Sequence, residues 1–289
     1  MHSHDLFSTL RSDQRSKLYF PIFYRGLGLH HGILHQILTT YKDVKNIHYC
    51  GNHGDPMMNP NIAEMSSMNN IEVEIATNGG IGRLETYKQL AKQKNTRIIF
   101  GIDGLEDTNH LYRQGVNWDK LISRVRAFTE AGGDAEWQFI KFQHNMHQQE
   151  EARKLSQVLG FNNFILRDDG RNDMPAIQLD KSISHWVLPP YKDAKPRQFD
   201  VDEYLKMRYE PYDLTENSCK VEKITCETLV NKSVYVDSSG EIYPCCYHGF
   251  GHIDRPKVHL ERFEELRSTW SSGSCNKVCA ESCGKQAHN

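Results

Sequence analysis

Two stretches decide the fold. Ile71-Glu72-Val73-Glu74-Ile75-Ala76-Thr77-Asn78-Gly79-Gly80 is followed, after one helical pattern, by Arg97-Ile98-Ile99-Phe100-Gly101-Ile102-Asp103-Gly104. Each is a β-branched run that ends in turn chemistry. Between them, apolar residues recur at three- and four-residue steps, so the whole reads as a βαβ unit. Working outward, the rhythm repeats: strand candidates lie at 46–50, 71–76, 97–102, 136–140 and 163–167, and helix candidates at about 60–69, 83–94, 118–131 and 147–159. Gly79, Gly132-Gly133 and Gly160 fall where elements must stop. Such a succession makes a parallel sheet, open or curled into part of a barrel, and periodicity does not choose between the two. In both, ligands bind at the carboxyl ends of the strands. There stand Gly51-Asn52-His53-Gly54-Asp55-Pro56, Thr77-Asn78-Gly79 and Asp103-Gly104.

Composition narrows the function classes. Among 289 residues, 35 Lys and Arg face 37 Asp and Glu, for a formal charge of -2, so no basic excess points to nucleic acid. No window supplies the ~20 consecutive apolar residues of a membrane span, and the first thirty residues lack a secretory signal. The expectation is a cytoplasmic protein, without a membrane partner, whose thiols stay reduced. Cys50 stands alone in the front of the chain, while Cys219, Cys226, Cys245, Cys246, Cys275, Cys279 and Cys283 crowd its end. Seven cysteines cannot all pair with one another, and at this density they read as ligands of zinc or of an iron–sulfur cluster. Residues 170–215, with five prolines, read as a connector. Beyond it, 233–237 and 241–244 flank Ser238-Ser239-Gly240 as a hairpin, and 260–270 reads as a helix. The expected domains are 1–200, a partial barrel, and 201–289, a small cysteine-rich α+β module.

Taken in order, the strand-end motifs resemble those of radical S-adenosylmethionine enzymes, over roughly residues 44–289. His53-Gly54-Asp55-Pro56 stands where that family has Gly-Gly-Glu-Pro, whose backbone receives the cofactor's amino group. Thr77-Asn78-Gly79 is similar to the family's Thr-Asn-Gly. Phe100-Gly101-Ile102-Asp103-Gly104 resembles its Phe-Ser-Ile-Asp-Gly, near the ribose. His110-Leu111-Tyr112-Arg113 resembles the stretch from which an arginine, here Arg113, reaches the cofactor carboxylate. The resemblance implies a partial (β/α) TIM-like barrel of about five or six parallel strands that binds S-adenosylmethionine. The chemical types fit on their own account, since the cofactor's ammonium, carboxylate, ribose and adenine ask for carbonyls and a carboxylate, an arginine, hydroxyl partners and an apolar slot. The competing reading is that Asp55 caps a helix starting near Asn59 and that Arg113 pairs with an acid such as Asp107.

The end of the chain resembles the SPASM or twitch auxiliary-cluster module: Cys226 is followed by 13 residues, Gly240, four residues and Cys245, and Cys275, Cys279 and Cys283 follow later. The resemblance implies a [4Fe–4S] cluster on Cys226, Cys245, Cys279 and Cys283, with Cys219, Cys246 and Cys275 as rivals and structural zinc as the alternative. The family also needs a Cys-three-Cys-two-Cys motif after its first strand, and this chain has none. Truncation is the first explanation, with residues 1–44 as the rest of the first loop and helix and an open sheet edge beside 46–50. A degenerate homologue is the second. His30, His31 and His35 read as solvated rather than as substitute ligands. An intact relative would split the cofactor reductively into methionine and a 5′-deoxyadenosyl radical and take a hydrogen from a peptide or small-molecule substrate, using a reducing electron donor. That chemistry is expected to be impaired here. The alternative function is a non-catalytic binding protein stabilised by zinc or a cluster, and RNA modification lacks support from charge. Trp137, Gln138, Lys141, Arg167, Asp168, Asp169 and Arg171 are candidates to line a pocket, with surface ion pairs as the other account of the last four.

Overall fold

Helices and strands alternate along the chain as the apolar periods require. The structure, a computed structural model, describes residues 16–21, 31–51, 54–168, 174–204, 221–237, 240–249, 259–271 and 276–286. In order they form β1 (Ser16–Pro21), α1 (His31–Thr40), β2 (Val44–Cys50), α2 (Ile62–Met65), β3 (Glu72–Thr77), α3 (Leu84–Ala91) and β4 (Thr96–Gly101). Then come α4 (Asn109–Tyr112), α5 (Trp118–Thr129), β5 (Asp134–Lys141), α6 (Gln149–Val158), β6 (Asn163–Asp168), β7 (Met174–Ile177) and β8 (Ile183–Val187). The remainder holds β9 (Val221–Ile224), α7 (Glu227–Asn231), β10 (Ser233–Val236), β11 (Ile242–Tyr243), α8 (Cys246–Gly249), α9 (Phe263–Ser268), α10 (Lys277–Cys283) and β12 (Gly284–Gln286). The alternation of parallel strands and helices is that of an α/β, partial TIM-like barrel. The described residues divide into two compact units: residues 55–69 with 73–208, and residues 1–54 with 70–72 and 209–289.

In the first of these units β3, β4, β5 and β6 pair in parallel, with Ile75 beside Ile98, Phe100 beside Trp137, and Trp137 beside Phe164. One face of this sheet is apolar. Ile98, Phe100, Trp137 and Phe139 bury completely there, with Tyr87 and Leu90 of α3 and Leu121, Val125 and Phe128 of α5. Each such side chain contributes roughly 1.5–3 kcal/mol by leaving water. α5 shows how sequence makes the element: Leu121, Val125 and Phe128 fall on one stripe, and the Asn117 side chain accepts a hydrogen bond from the Lys120 amide to start the helix. The opposite face carries Glu74, Arg97, Glu136 and Gln138 at alternate positions, with Arg97 paired to Asp134 at 2.8 Å. The connector expected at 170–215 is only partly one, because β7 and β8 form an antiparallel hairpin, Pro175 opposite Trp186. Pro175 is tolerated because such a strand has an outer edge, where no N–H is required.

In the other unit β1 lies between β2 and β10, parallel to both, and β11 turns back antiparallel on β10. The edge beside 46–50 is therefore not open as expected, since β1 pairs with β2 from Ser16 to Pro21. The first strand of this unit is present, where residues 1–44 read as loop and helix only. β9 pairs antiparallel with β12, Ile224 opposite Gly284.

Candidate functional site

The loops after β3 and β4 and the segment before Met57 meet through side chains. Asp55 caps a 3₁₀ turn, Pro56–Met58, by accepting from the Met57 amide at 2.9 Å. It also accepts from the Thr77 hydroxyl at 2.8 Å and the Asn78 amide at 3.0 Å. Asp55 is thus a cap, though of the Pro56–Met58 turn and not of a helix starting near Asn59, and its further consequence is to lock the Asp55-Pro56 backbone to the end of β3. Burial pushes the Asp55 carboxyl upward from its ordinary value, against those hydrogen bonds and the nearby Arg113 guanidinium. Beyond Thr77, the Asn78 side chain accepts from the Gly80 amide at 2.8 Å, and Gly79 takes a left-handed φ of 67° where any Cβ would strike Leu121.

Asp103 is fully buried and spends both oxygens: one accepts from the Ile140 amide at 2.6 Å, the other from Arg113 Nε at 2.6 Å. The pairing of Arg113 with Asp107 does not occur; Asp107 instead accepts from Gln148 Nε2 at 2.7 Å. Asp103 therefore aims Arg113. With Nε engaged and the guanidinium 4.9 Å from the Tyr112 ring, the two terminal nitrogens have no partner among the described residues. A Cβ on Gly101 would lie 2.6 Å from Nη2 of Arg113, so the glycine makes room for the arginine. The structure brings Asp55, Thr77, Asn78, Gly79, Asp103 and Arg113 together. Gly54 and Pro56 flank Asp55, while His53 lies outside the described residues.

Among the pocket candidates, Trp137 belongs to the core: it is fully buried, donates from Nε1 to the Ile102 carbonyl at 2.8 Å and packs on Phe161 and Phe164. Gln138 is on the polar face, bonded to Glu136 at 2.8 Å. Lys141 pairs with the exposed Asp168 at 2.6 Å; Arg167 is exposed, and Asp169 and Arg171 lie outside the described residues.

The cysteines gather on one cavity of about 350 Å³, lined by Cys50, Cys226, Cys245, Cys246, Cys279 and Cys283. Local structure explains the convergence. Cys226 follows β9 and Cys283 precedes β12, so pairing of those strands sets the two side by side. Cys279 and Cys283 are four apart on α10, on one helical face, and Asn276 caps that helix by accepting from the Val278 and Cys279 amides. The β10–β11 hairpin delivers Cys245 and Cys246 to the start of α8. Gly249 lets α8 lie flush on the strands, since a Cβ there would come within 2.5 Å of the Tyr235 ring. Cys50, at the end of β2, was not legible as a neighbour of the others: only folding of the intervening chain brings it near. Cys219 and Cys275 lie outside the described residues.

Electrostatics distinguishes these thiols. Burial pushes Cys245 and Cys279 up to about 12 and raises Cys246 and Cys283 as well. Amide N–H groups of Tyr247 and His248 work against this at Cys245, and that of Glu227 does so at Cys283. His248 Nε2 is 3.4 Å from the Cys279 sulfur. Among the described residues the Trp270 indole N–H reaches no partner at full hydrogen-bond geometry, yet it is near enough to pull Cys279 down.

The sequence matches no family profile and no curated protein. The fold, in contrast, has clear counterparts. Streptococcus suis SuiB superposes with a TM-score of 0.57 at 15% identity, over 96% of this chain and 70% of that one. SuiB bound to precursor peptide SuiA gives 0.55 at 16% identity, over 89% and 65%. Native anSMEcpe with bound AdoMet and Cp18Cys peptide gives 0.50 at 13%, over 81% and 74%. Its structural neighbours are radical S-adenosylmethionine enzymes. This chain spans about two thirds to three quarters of their length.

The residues fit the groups such enzymes carry. Half-buried thiols that line one cavity, with N–H donors aimed at their sulfurs, suit an iron–sulfur cluster, whose positive irons would offset the cost of burying thiolates. Among the described residues no three His, Cys, Asp or Glu side chains close around a single point, as a lone zinc ion requires. A cluster spaces its thiolates farther apart, each on a different iron.

Proposed function

We propose that this chain is a radical S-adenosylmethionine-type protein that binds the sulfonium nucleotide beside Arg113, holds an auxiliary [4Fe–4S] cluster in its cysteine cavity, and acts on a peptide. The observation that carries the reading is the Arg113 fork, pinned at Nε by Asp103 and left with two terminal nitrogens for an incoming carboxylate. In this reading the backbone carbonyls at Asp55-Pro56 take the ammonium, and the Asp55–Thr77 bond keeps them in place. Thr77, Asn78 and Gly79 shape the turn under the nucleotide. Cys226, Cys245, Cys279 and Cys283 hold the cluster, and His248 and Trp270 direct N–H groups at Cys279. S-adenosylmethionine, when bound, supplies a carbon–sulfur bond that one electron can cleave. The peptides bound to SuiB and anSMEcpe support a peptide substrate, as does the polar sheet face of Glu74, Arg97, Glu136 and Gln138, where a packed barrel would carry apolar layers.

Reductive cleavage is impaired in this reading. β1 is present and residues 22–30 after it contain no cysteine, so the ligands of the core cluster are missing where the family places them. Anaerobic reconstitution followed by iron and sulfide counting tests this. One cluster per chain, S-adenosylmethionine retained in equilibrium dialysis and no 5′-deoxyadenosine after dithionite are expected. Two clusters, nucleotide cleavage, or a colourless protein holding zinc would overturn it.

A further inference from the structure

Asp103 is not alone in aiming a neighbour. Glu136 does the same for Gln138: it is buried, lies two residues back on β5, and its Oε1 accepts from Gln138 Nε2 at 2.8 Å. A carboxylate accepts and does not donate, so this bond fixes which way the Gln138 amide faces. The N–H end turns toward Glu136, and the carbonyl oxygen is left without a partner among the described residues. Gln138 is only half-buried, so a ligand can reach that oxygen.

Register places Gln138 beside the Arg113 fork. Gly101 and Gln138 are partners across β4 and β5, and partners in a parallel sheet project to the same face about 4.8 Å apart. The space where Gly101 lacks a Cβ is taken by Arg113 Nη2, 2.6 Å from that point. On the other side, the partner of Gln138 on β6 is Ile165, whose side chain has no polar group. One free acceptor thus stands next to the free donors of the fork, on a face open to a ligand.

That acceptor answers a need the other site residues leave open. The ribose of a bound nucleoside brings hydroxyl groups, each a donor. Asp103, expected near the ribose, is fully buried and gives its oxygens to Arg113 Nε and the Ile140 amide. Asp55 accepts from Met57, Thr77 and Asn78, and the Asn78 side-chain oxygen accepts from the Gly80 amide. Beside these residues, Gln138 supplies the side-chain oxygen that no N–H or O–H of the described residues already occupies.

We infer that Gln138, aimed by Glu136, accepts a hydrogen bond from a ribose hydroxyl of the bound nucleotide and so selects ribonucleosides over their deoxy forms. This rests on the nucleotide reading above and involves no cluster. Calorimetric titration of the full-length chain with S-adenosylhomocysteine, the stable thioether analogue, and with its 2′-deoxy and 3′-deoxy forms tests it. The wild-type chain should bind the parent about tenfold more tightly than one of the deoxy forms, the worth of one hydrogen bond. Gln138→Met, close in shape but without the acceptor, should bind all three with the affinity of that weaker form and keep its Tm. In Glu136→Gln the new side chain can offer Gln138 either an oxygen or an N–H, so the amide loses its fixed direction and the preference should narrow. An undiminished preference there would overturn the aiming role of Glu136. A parent nucleotide that does not bind the wild-type chain overturns the nucleotide reading and this inference with it. Wild-type binding without a preference for the hydroxyls overturns this inference alone. So does Gln138→Met that weakens all three ligands equally with a lowered Tm, as a merely structural glutamine would.

Discussion

Asp103, Arg113 and Gly101 form the tightest functional coupling at the residue scale. Asp103→Ala leaves a half-buried guanidinium and the Ile140 amide without their acceptor and should cost roughly 3 kcal/mol in denaturant unfolding. Gly101→Ala acts differently. Its methyl displaces the guanidinium without opening the core, so S-adenosylmethionine binding should weaken roughly tenfold, ~1.4 kcal/mol, with the unfolding midpoint nearly unchanged. If both fall together, Gly101 is a folding residue only. His144 sets a pH dependence. Burial holds it at about 4 in the folded chain against an ordinary 6.5, so the unfolded chain takes the proton first. Stability should be full above pH 6.5, decline as pH drops, and level off below about 4. Allowing for the part of the ring that water reaches, the loss is roughly 1–2 kcal/mol, and urea midpoints across that window with His144→Phe as reference measure it. The sequence displayed Asp55, Asp103 and Arg113 as chemical types, but that Asp103 serves Arg113 instead of facing outward depends on the Ile140 amide across the sheet, which no local pattern encodes.

Elements were legible where one period ran long enough. α5 and strands β2 to β6 follow their apolar spacing, whereas the β7–β8 hairpin has four- and five-residue strands, one with a proline, too short for alternation to register. Turns divide in the same way. Gly79 and Gly132 both take left-handed φ, but a Cβ at Gly79 meets Leu121 while nothing lies within 4 Å at Gly132. Gly132→Ala should cost about 1 kcal/mol, the backbone contribution alone. Gly79→Ala should cost clearly more, and equal thermal shifts for the two would contradict the packing described for the Asn78-Gly79 turn. Of the adjacent thiols, Cys245 receives N–H groups from both Tyr247 and His248, Cys246 from Tyr247 and its own amide. Each thus has two donors, and the proposed ligand set, which takes Cys245 and leaves Cys246, is what separates them: Cys245→Ser should abolish the reconstituted cluster and Cys246→Ser retain it, read as iron and sulfide per chain; the reverse pattern would exchange their roles.

At the scale of the whole molecule, the expected class of fold matches the structure, and the neighbours extend it to 96% of the chain in the SuiB comparison. Long-range assembly was not legible: neither Cys50 on the cavity wall nor β1 beside β10 has a local signature, because each depends on partners far along the chain. The second of these has a consequence for biosynthesis. β1 leaves the ribosome long before one of its two flanking strands, which begins at Ser233, so the chain between them must be translated before that neighbour exists. Until then Ser16–Pro21 offers bare backbone on one side, and pairing across so long a stretch is slow to form.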